Sequence, residues 1–219
     1  MNSGFMIVCD GSNGAGKSTV IKAIYDYLQS QGREVVLTRE PGGTPIGEKI
    51  RDVLLSPDTP EMCDTTELML FAAARAQHVH EKILPSVKNG KVVLSDRFDS
   101  ATMSFQHHAR GLPLSLIENL NNLALNGFQA DMTIILDLDP RVGLERVSMR
   151  GDGLDRLEMQ DLEFLDKARH GYLAQAFNDP EHFSVVDASQ SLEQVIEDTL
   201  SIVKKLLERT NVYMLRSEY

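Results

Sequence analysis

Five short runs of the chain are nearly all apolar: residues 5–10, 34–38, 92–96, 132–138 and 183–187. Unbroken apolar runs of this length suit strands of a parallel sheet that helices cover on both faces. Between the runs, apolar residues return every three or four positions. Residues 19–30 read as a helix, and in 67–83 Leu68, Phe71, Arg75 and Val79 share one helical face. Residues 113–126 and 161–177 have similar spacing, and 192–207 closes the chain as an amphipathic helix. Residues 210–219 are expected to be a frayed tail. Strands alternating with crossover helices predict an α/β fold. The expected form is a three-layer α/β/α sandwich on a five-stranded parallel sheet, with ligands at the carboxyl ends of the strands. No internal repeat, low-complexity tract or linker interrupts the 219 residues, so 1–219 is expected to be a single domain.

The first strand-to-helix turn carries the clearest chemistry. Gly11-Ser12-Asn13-Gly14-Ala15-Gly16-Lys17-Ser18 fits G-x-x-x-x-G-K-[ST], the P-loop of nucleoside triphosphatases and kinases, in the strand–loop–helix setting that the motif requires. The glycines let backbone N–H groups turn inward, and the helix N-terminus adds its partial positive charge. Lys17 is expected to reach the β- and γ-phosphates, and the Ser18 hydroxyl to ligate Mg²⁺. The third strand ends in Asp96-Arg97. There a carboxylate can orient the metal's water shell or the attacking phosphate, and a guanidinium can bind a second phosphate group. No guanine-reading N/T-K-x-D and no D-x-x-G stand where a GTPase switch needs them, which argues against a molecular switch.

Composition narrows the partners. Hydrophobic content of 42% and charged content of 25% are ordinary for a soluble globular chain. The net charge of −10 argues against nucleic acid polymers and anionic membranes, which need clustered Lys and Arg, but still allows a small anion in a basic pocket. Two cysteines, Cys9 and Cys63, form no disulfide framework or metal spacing, and Cys9 reads as a core residue of the first strand. The first apolar run stops at Asp10, too short for a signal segment, and no stretch is long enough to span a bilayer. A reducing cytoplasm is the expected compartment.

Further motifs carry a resemblance. Arg39-Glu40-Pro41-Gly42-Gly43-Thr44 follows the second strand, and Leu70-Phe71-Ala72-Ala73-Ala74-Arg75-Ala76-Gln77-His78 lies on the long helix. Asp96-Arg97-Phe98 ends the third strand, Leu154-Asp155-Arg156-Leu157-Glu158 falls in an expected lid, and Asp187-Ala188-Ser189-Gln190 follows the last strand. In this order and with these intervals the chain resembles bacterial-type thymidylate kinase, from Phe5 to about Leu207. The resemblance implies transfer of the γ-phosphate of MgATP to dTMP, giving dTDP, by a protein that is commonly a homodimer. It implies that Phe71 stacks on thymine and Arg75 donates to a base carbonyl, four residues apart on one helix face. It implies a second thymine reader in Gln106, whose amide can pair with N3–H and a carbonyl, with Phe105 beside it. Arg97 would clamp the acceptor phosphate, with Arg39 and Arg51 as neighbours and Glu40 helping to order metal and water. On the donor side it implies ATP contacts from Gly11 to Thr19, from Arg146 and Arg156, and from Ala188 in the adenine-side loop. Ser18 and Asp96 would serve the metal. The family places its catalytic arginine in the P-loop or in the lid. Because the P-loop position here is Gly14, a lid over about 148–160 must supply it, and Arg150, beside Arg146 on one helix face, is the expected residue. Lys17, Asp96, Arg97 and Arg150 thus form the expected catalytic set, with lid guanidiniums closing over the phosphates to stabilise the transferring group and exclude water.

Several positions depart from the family pattern. Asn13 replaces an acidic residue, Phe105 a tyrosine, Ala101 a serine, Ala74 an aspartate, and His107 a glycine. His107 and His108 would point about 100° apart on a helix, which suits solvent or the substrate rim better than a metal. These changes fall on the acceptor side. They leave open a kinase for another or modified deoxynucleoside monophosphate, such as dUMP or a 5-substituted dUMP, and, less well supported, a non-catalytic nucleotide-binding protein.

Overall fold

The computed structural model describes residues 4–149 and 154–217, with side chains as far as residue 210. Strands β1 (Phe5–Gly11), β2 (Val35–Arg39), β3 (Val92–Asp96), β4 (Met132–Asp137) and β5 (Phe183–Asp187) form one sheet in the order β2-β3-β1-β4-β5. All four pairings are parallel, and helices cover both faces, as the apolar runs predicted. β1 is buried along its whole length, with Phe5 opposite Val92 on one side and Ile7 opposite Met132 on the other. Period-two alternation divides its side chains between the faces. Phe5, Ile7 and Cys9 pack with Val20, Ile24 and Leu28 of α1 (Lys17–Ser30) and with Val203 and Leu206 of α9 (Leu192–Ser217). Met6 and Val8 turn the other way, onto Val79, Ile83, Phe98 and Leu125. Each such fully buried aliphatic side chain contributes about 1.5–3 kcal/mol. Burial also pushes the Cys9 thiol well up, which keeps it an inert core group.

β1 has a later strand on each side, so the chain's crossovers diverge at its carboxyl end. That opens the crevice in which α/β sheets bind ligands. The P-loop leaves β1 there, and Asp96 ends β3 beside it.

Three elements differ from expectation. α2 (Pro45–Leu55) was not among the expected helices, although Ile46, Ile50, Val53 and Leu54 recur at helical spacing; Pro45 opens it, and the Thr44 hydroxyl accepts from Gly47 N–H at 3.0 Å. The helix expected over 67–83 starts earlier, as α3 (Asp64–His78), then widens into a π-helical turn, Val79–Ile83, before α4 (Leu84–Lys88). Pro85 explains the wide turn, because a proline ring clashes with the carbonyl four residues back and offers no N–H to it. A second π-helical turn, Met103–Ala109, follows α5 (Asp99–Thr102) and carries Phe105 and Gln106. The expected frayed tail is instead helical: α9 continues to Ser217. The remaining helices are α6 (Leu114–Leu125), α7 (Pro140–Ser148) and α8 (Leu162–Asn178).

Candidate active site

The P-loop owes its shape to its neighbours. Gly11, Gly14 and Gly16 have φ of 118°, 74° and 88°, in the left-handed region. At Gly14 a Cβ would stand 2.4 Å from the carbonyl oxygen of Gly143, and at Gly11 one would stand 2.3 Å from that of Leu136. α7 therefore docks on the loop backbone to backbone, and no side chain fits at position 14. Ser12 Oγ donates to Leu138 O at 3.0 Å, and Arg146 Nη1 donates to Gly14 O at 3.2 Å. Lys17 Nζ curls back to Ser12 O at 2.9 Å and Gly11 O at 3.3 Å. Burial, with Arg97 adding to it, lowers the Lys17 pKa to about 8, against the pull of Asp96 and Asp10. The loop thus presents a cation that lacks a full anionic partner. Ala188 closes this side: it is buried with Ala15 and Leu138, and its N–H donates to Asp137 O at 2.8 Å.

A cavity of about 530 Å³ extends from the loop. Its size is that of a small-ligand site. Lys17, Arg39, Arg51, Arg75 and Arg97 line it, against four carboxylates, Glu40, Asp96, Asp155 and Glu158. In a chain of net charge −10 this is a local concentration of cations, which is what an anionic ligand needs.

Arg97 stands at the mouth of the P-loop with φ 69°, and Ser95 Oγ donates to its carbonyl oxygen at 2.7 Å. Its Nη1 donates to Asp10 Oδ1 at 2.9 Å, Tyr172 Oη at 2.7 Å and Gly11 O at 3.2 Å, and its Nη2 to Asn13 Oδ1 at 2.5 Å. The guanidinium lies 5.4 Å from the centre of the Phe105 ring. Burial opposes its charge, yet Tyr172, Asp10 and Asp96 around it hold its pKa above the ordinary value. Asp10 is fully buried and also accepts from Gly11 N–H, Ser100 Oγ and Tyr172 Oη, at 2.9, 2.6 and 2.7 Å. Of the five N–H groups of a guanidinium, Nε–H and one Nη2–H of Arg97 are left without a partner among the described residues.

Phe71, Arg75 and Gln106 also line the cavity. Arg75 is 1% exposed. Its Nε donates to Glu40 Oε2 at 2.9 Å, Nη1 to Asn121 Oδ1 at 2.8 Å, and Nη2 to Phe98 O and Thr102 Oγ1, both at 3.0 Å. One Nη1–H is left for a ligand. Gln106 Nε2 donates to Glu67 Oε1 at 2.8 Å, which leaves its carbonyl oxygen and second N–H for pairing. Glu67 in turn meets Arg110 and Arg156. Burial works to raise its pKa, but Arg110 and Gln106 hold it below the ordinary carboxylate range.

The remaining expected residues divide. Ser18, Thr19, Asn13, Asp96 and Phe105 all line the cavity. Ser18 and Asp96 offer hard oxygen donors on one wall. That set suits Mg²⁺, which keeps most of its waters and takes only one or two protein ligands beside a nucleotide. Arg51 donates to Pro41 O at 2.8 Å, and Arg39 to Glu48 Oε2 at 2.9 Å. Glu40 lines the cavity and anchors its neighbours, with Oε2 accepting from Arg75 Nε and Oε1 from His78 Nδ1, both at 2.9 Å, while each oxygen keeps a further lone pair. Arg156, expected over the ATP phosphates, is buried. Its Nε donates to Leu54 O at 2.9 Å, and its Nη2 stands 2.6 Å from Glu67. Arg150 lies outside the described residues; among the described residues of the expected lid, Asp155, Leu157 and Glu158 line the cavity. His107 Nδ1 donates to Leu112 O at 2.7 Å, and His108 packs on Gly171; neither lines the cavity. Sequence reasoning missed Asp10, Tyr172, Glu67, Asn121 and His78. Asp10, at a strand end directly before the P-loop, and His78, the last residue of the Leu70–His78 motif, carried a signal.

The family model described as thymidylate kinase matches residues 9–199. Similar proteins named thymidylate kinase occur in Hahella chejuensis (strain KCTC 2396), 46% identical over 195 residues that span 89% of this chain and 93% of that one. Another, in Geobacillus sp. (strain WCH70), is 42% identical over 200 residues, or 91% of this chain and 95% of that one. A third, in Clostridium novyi (strain NT), is 38% identical over 205 residues, 93% of this chain and all of that one. The chain belongs to the thymidylate kinase family.

Proposed function

We infer that this chain transfers the γ-phosphate of ATP to dTMP, giving ADP and dTDP, and that the two ends of the cavity divide the work. The observation that carries this reading is the placement of two arginines in one cavity. Arg97 hydrogen-bonds P-loop residues with two N–H groups still to satisfy, and Arg75 lines the same cavity with Phe71 and Gln106. The P-loop N–H groups and Lys17 take the β- and γ-phosphates of ATP, and Arg97 takes the acceptor phosphate. Phe71 stacks on the base, Arg75 donates to a base carbonyl, and Gln106 pairs with N3–H and a carbonyl. A phosphate monoester has its second pKa near 6, so at pH 7 the attacking oxygen of dTMP already carries its electron pair and needs no general base. That oxygen forms the new P–O bond as the bond from γ-phosphorus to the bridging oxygen breaks, and ADP leaves with that electron pair. Lys17, Arg97 and the lid arginines stabilise the charge spread over the transferring group. Ser18 and Asp96 would hold Mg²⁺ beside the bound ATP, and the ion would supply charge neutralisation for the phosphates.

Arg150 is the proposed lid catalyst, supported by the close backbone fit of Gly14 to Gly143, which leaves no room for an arginine in the P-loop. Turnover of Arg150→Ala is expected to fall about 10²-fold or more with little change in ATP affinity. Unchanged turnover would move the role to Arg146, which already touches Gly14 O, rather than to the buried Arg156. A homodimer is proposed from the family resemblance, supported by Val53, Met69 and Leu123, which are exposed on the mutually packed helices α2, α3 and α6. Light scattering of the purified chain tests it. Among the described residues no helix is long and apolar enough to cross a membrane, and a reducing cytoplasm is the proposed compartment for the two free thiols.

The experiment is ADP release with MgATP across dTMP, dUMP, dCMP, dGMP and UMP at matched concentrations. Strong preference for dTMP is expected. Better turnover with dUMP or another acceptor would relabel the substrate and trace the change to Asn13, Ala101 and Phe105. No turnover with any of them would sink the reading.

A further inference from the structure

We propose that His78 is a positioning residue for the acceptor base: it fixes the Glu40 carboxylate, which in turn aims the Arg75 guanidinium into the cavity. The inference rests on the reading that Arg75 meets the base.

His78 is fully buried and does not line the cavity, so it touches no ligand. It follows Arg75 by three residues on α3, one turn along the same side of the helix. Its ring spans two elements. Nδ1 lies 2.9 Å from Glu40 Oε1, and Nε2 lies 2.6 Å from Thr38 Oγ1 on β2. Because Nδ1 faces a carboxylate, it is the donor. The Thr38 hydroxyl suits Nε2 with or without a proton, since it both donates and accepts. Glu40 is therefore gripped at both oxygens, by His78 on one and by Arg75 Nε on the other. Among the described residues the imidazole is the donor to Glu40 Oε1, and it keeps the carboxylate in the plane that meets Arg75 Nε.

The turn after Glu40 closes over the same ring. A Cβ at Gly43 would stand 2.6 Å from His78 Nε2 and 2.7 Å from Thr38 Oγ1, so this position excludes a side chain and the backbone seals the pair from solvent. That turn also supplies Pro41 O to Arg51 and Gly43 N–H to Glu48. One imidazole thus ties strand β2, the turn and the base-reading helix together. It uses two ring nitrogens on opposite sides to do so, and an amide side chain reaches only one of those partners.

This difference supplies the test. His78→Asn sets an amide N–H near the place of Nδ1 and keeps the bond to Glu40. His78→Gln sets one near the place of Nε2 and loses it. The expected result is a dTMP KM raised about tenfold or more in His78→Gln, the size of a lost charge-assisted hydrogen bond. Most of that affinity should return in His78→Asn, with the ATP KM unchanged in both. Thr38→Val, which keeps the shape and frees Nε2, is expected to raise the dTMP KM about threefold and serves if His78→Gln does not fold. Equal losses in the Asn and Gln variants, or ATP and dTMP KM values that move together, would overturn the inference and reduce His78 to a packing role. Arg75→Lys is run beside them. If it raises the dTMP KM while folded His78→Gln does not, the base reading stands and the His78 inference falls. If Arg75→Lys leaves the dTMP KM unchanged, the base reading falls and takes the inference with it.

Discussion

The P-loop and the wall around Arg97 and Arg75 present their cations to one cavity by unlike means. The loop is eight consecutive residues, in which the carbonyls of Leu136 and Gly143 press on Gly11 and Gly14, and Gly16 is set by its φ of 88° alone. The acceptor wall has no contiguous segment. Asp10 of β1 and Tyr172 of α8 are 162 positions apart yet share a 2.7 Å hydrogen bond, and both hold Arg97. Arg75 likewise depends on Glu40 from the loop after β2, Asn121 from α6 and Thr102 from α5. A change in the loop therefore acts where it is made. A change in the wall is felt at an arginine some distance away.

The predictions separate the two regions. The largest effect is expected from Arg97→Ala, which removes the acceptor clamp and takes a cation from the fully buried Asp10. Steady-state kinetics should show kcat/KM for dTMP falling about 10³-fold, and denaturant unfolding a stability loss of about 3–5 kcal/mol. A wall that binds phosphate without Arg97 would show neither. Gly14→Ala should strike the donor side instead. The added methyl meets Gly143 backbone at φ 74° and displaces α7, so the ATP KM should rise about tenfold or more while dTMP binding holds.

The pH dependence belongs to the loop as well. Lys17, lowered to about 8 in the unliganded protein, is charged below that pH and loses its proton as pH rises through it. Only the charged form attracts phosphate. ATP affinity should therefore be flat below about pH 8 and weaken by up to about tenfold per unit above it, while Lys17→Arg flattens the profile. Titrations of ATP from pH 6.5 to 9.5 check this. Tyr172→Phe should be smaller and confined to the wall. The ring keeps its place beside Phe105, 6.2 Å between centroids, but the hydroxyl between Asp10 and Arg97 is gone. The dTMP KM should rise about fivefold and stability fall by about 1–2 kcal/mol. Smallest is Arg39→Ala, whose pair with Glu48 is half exposed, with less than about 1 kcal/mol in stability and less than about threefold in the dTMP KM.

The same contrast explains what the sequence disclosed. Strands, sheet type and P-loop were legible because each is written in consecutive residues, as an apolar run or a motif. Arg97, Arg75, Phe71 and Gln106 were named through the family resemblance, and all four line the cavity. Much of what holds those residues was not legible. Tyr172 reads as one more apolar position of α8, and Asn121 as a polar residue on α6, until the fold brings them to an arginine. Arg156 shows the converse. Its place after Asp155 in a lid-like segment suggested an ATP contact, but Glu67 on α3 and Leu54 O hold it in the interior. The π-helical turns escaped periodicity for a related reason. Apolar spacing of three and four does not distinguish a wide turn from an α-helix, and the Pro85 clash is felt only once the helix is built.

The most direct test is calorimetric titration of ATP and of dTMP, separately, into the parent protein, Gly14→Ala and Tyr172→Phe. Two anion sites held by different means require opposite losses: ATP affinity alone falling in Gly14→Ala, and dTMP affinity alone falling in Tyr172→Phe. Parallel loss of both ligands in either folded variant would contradict the account.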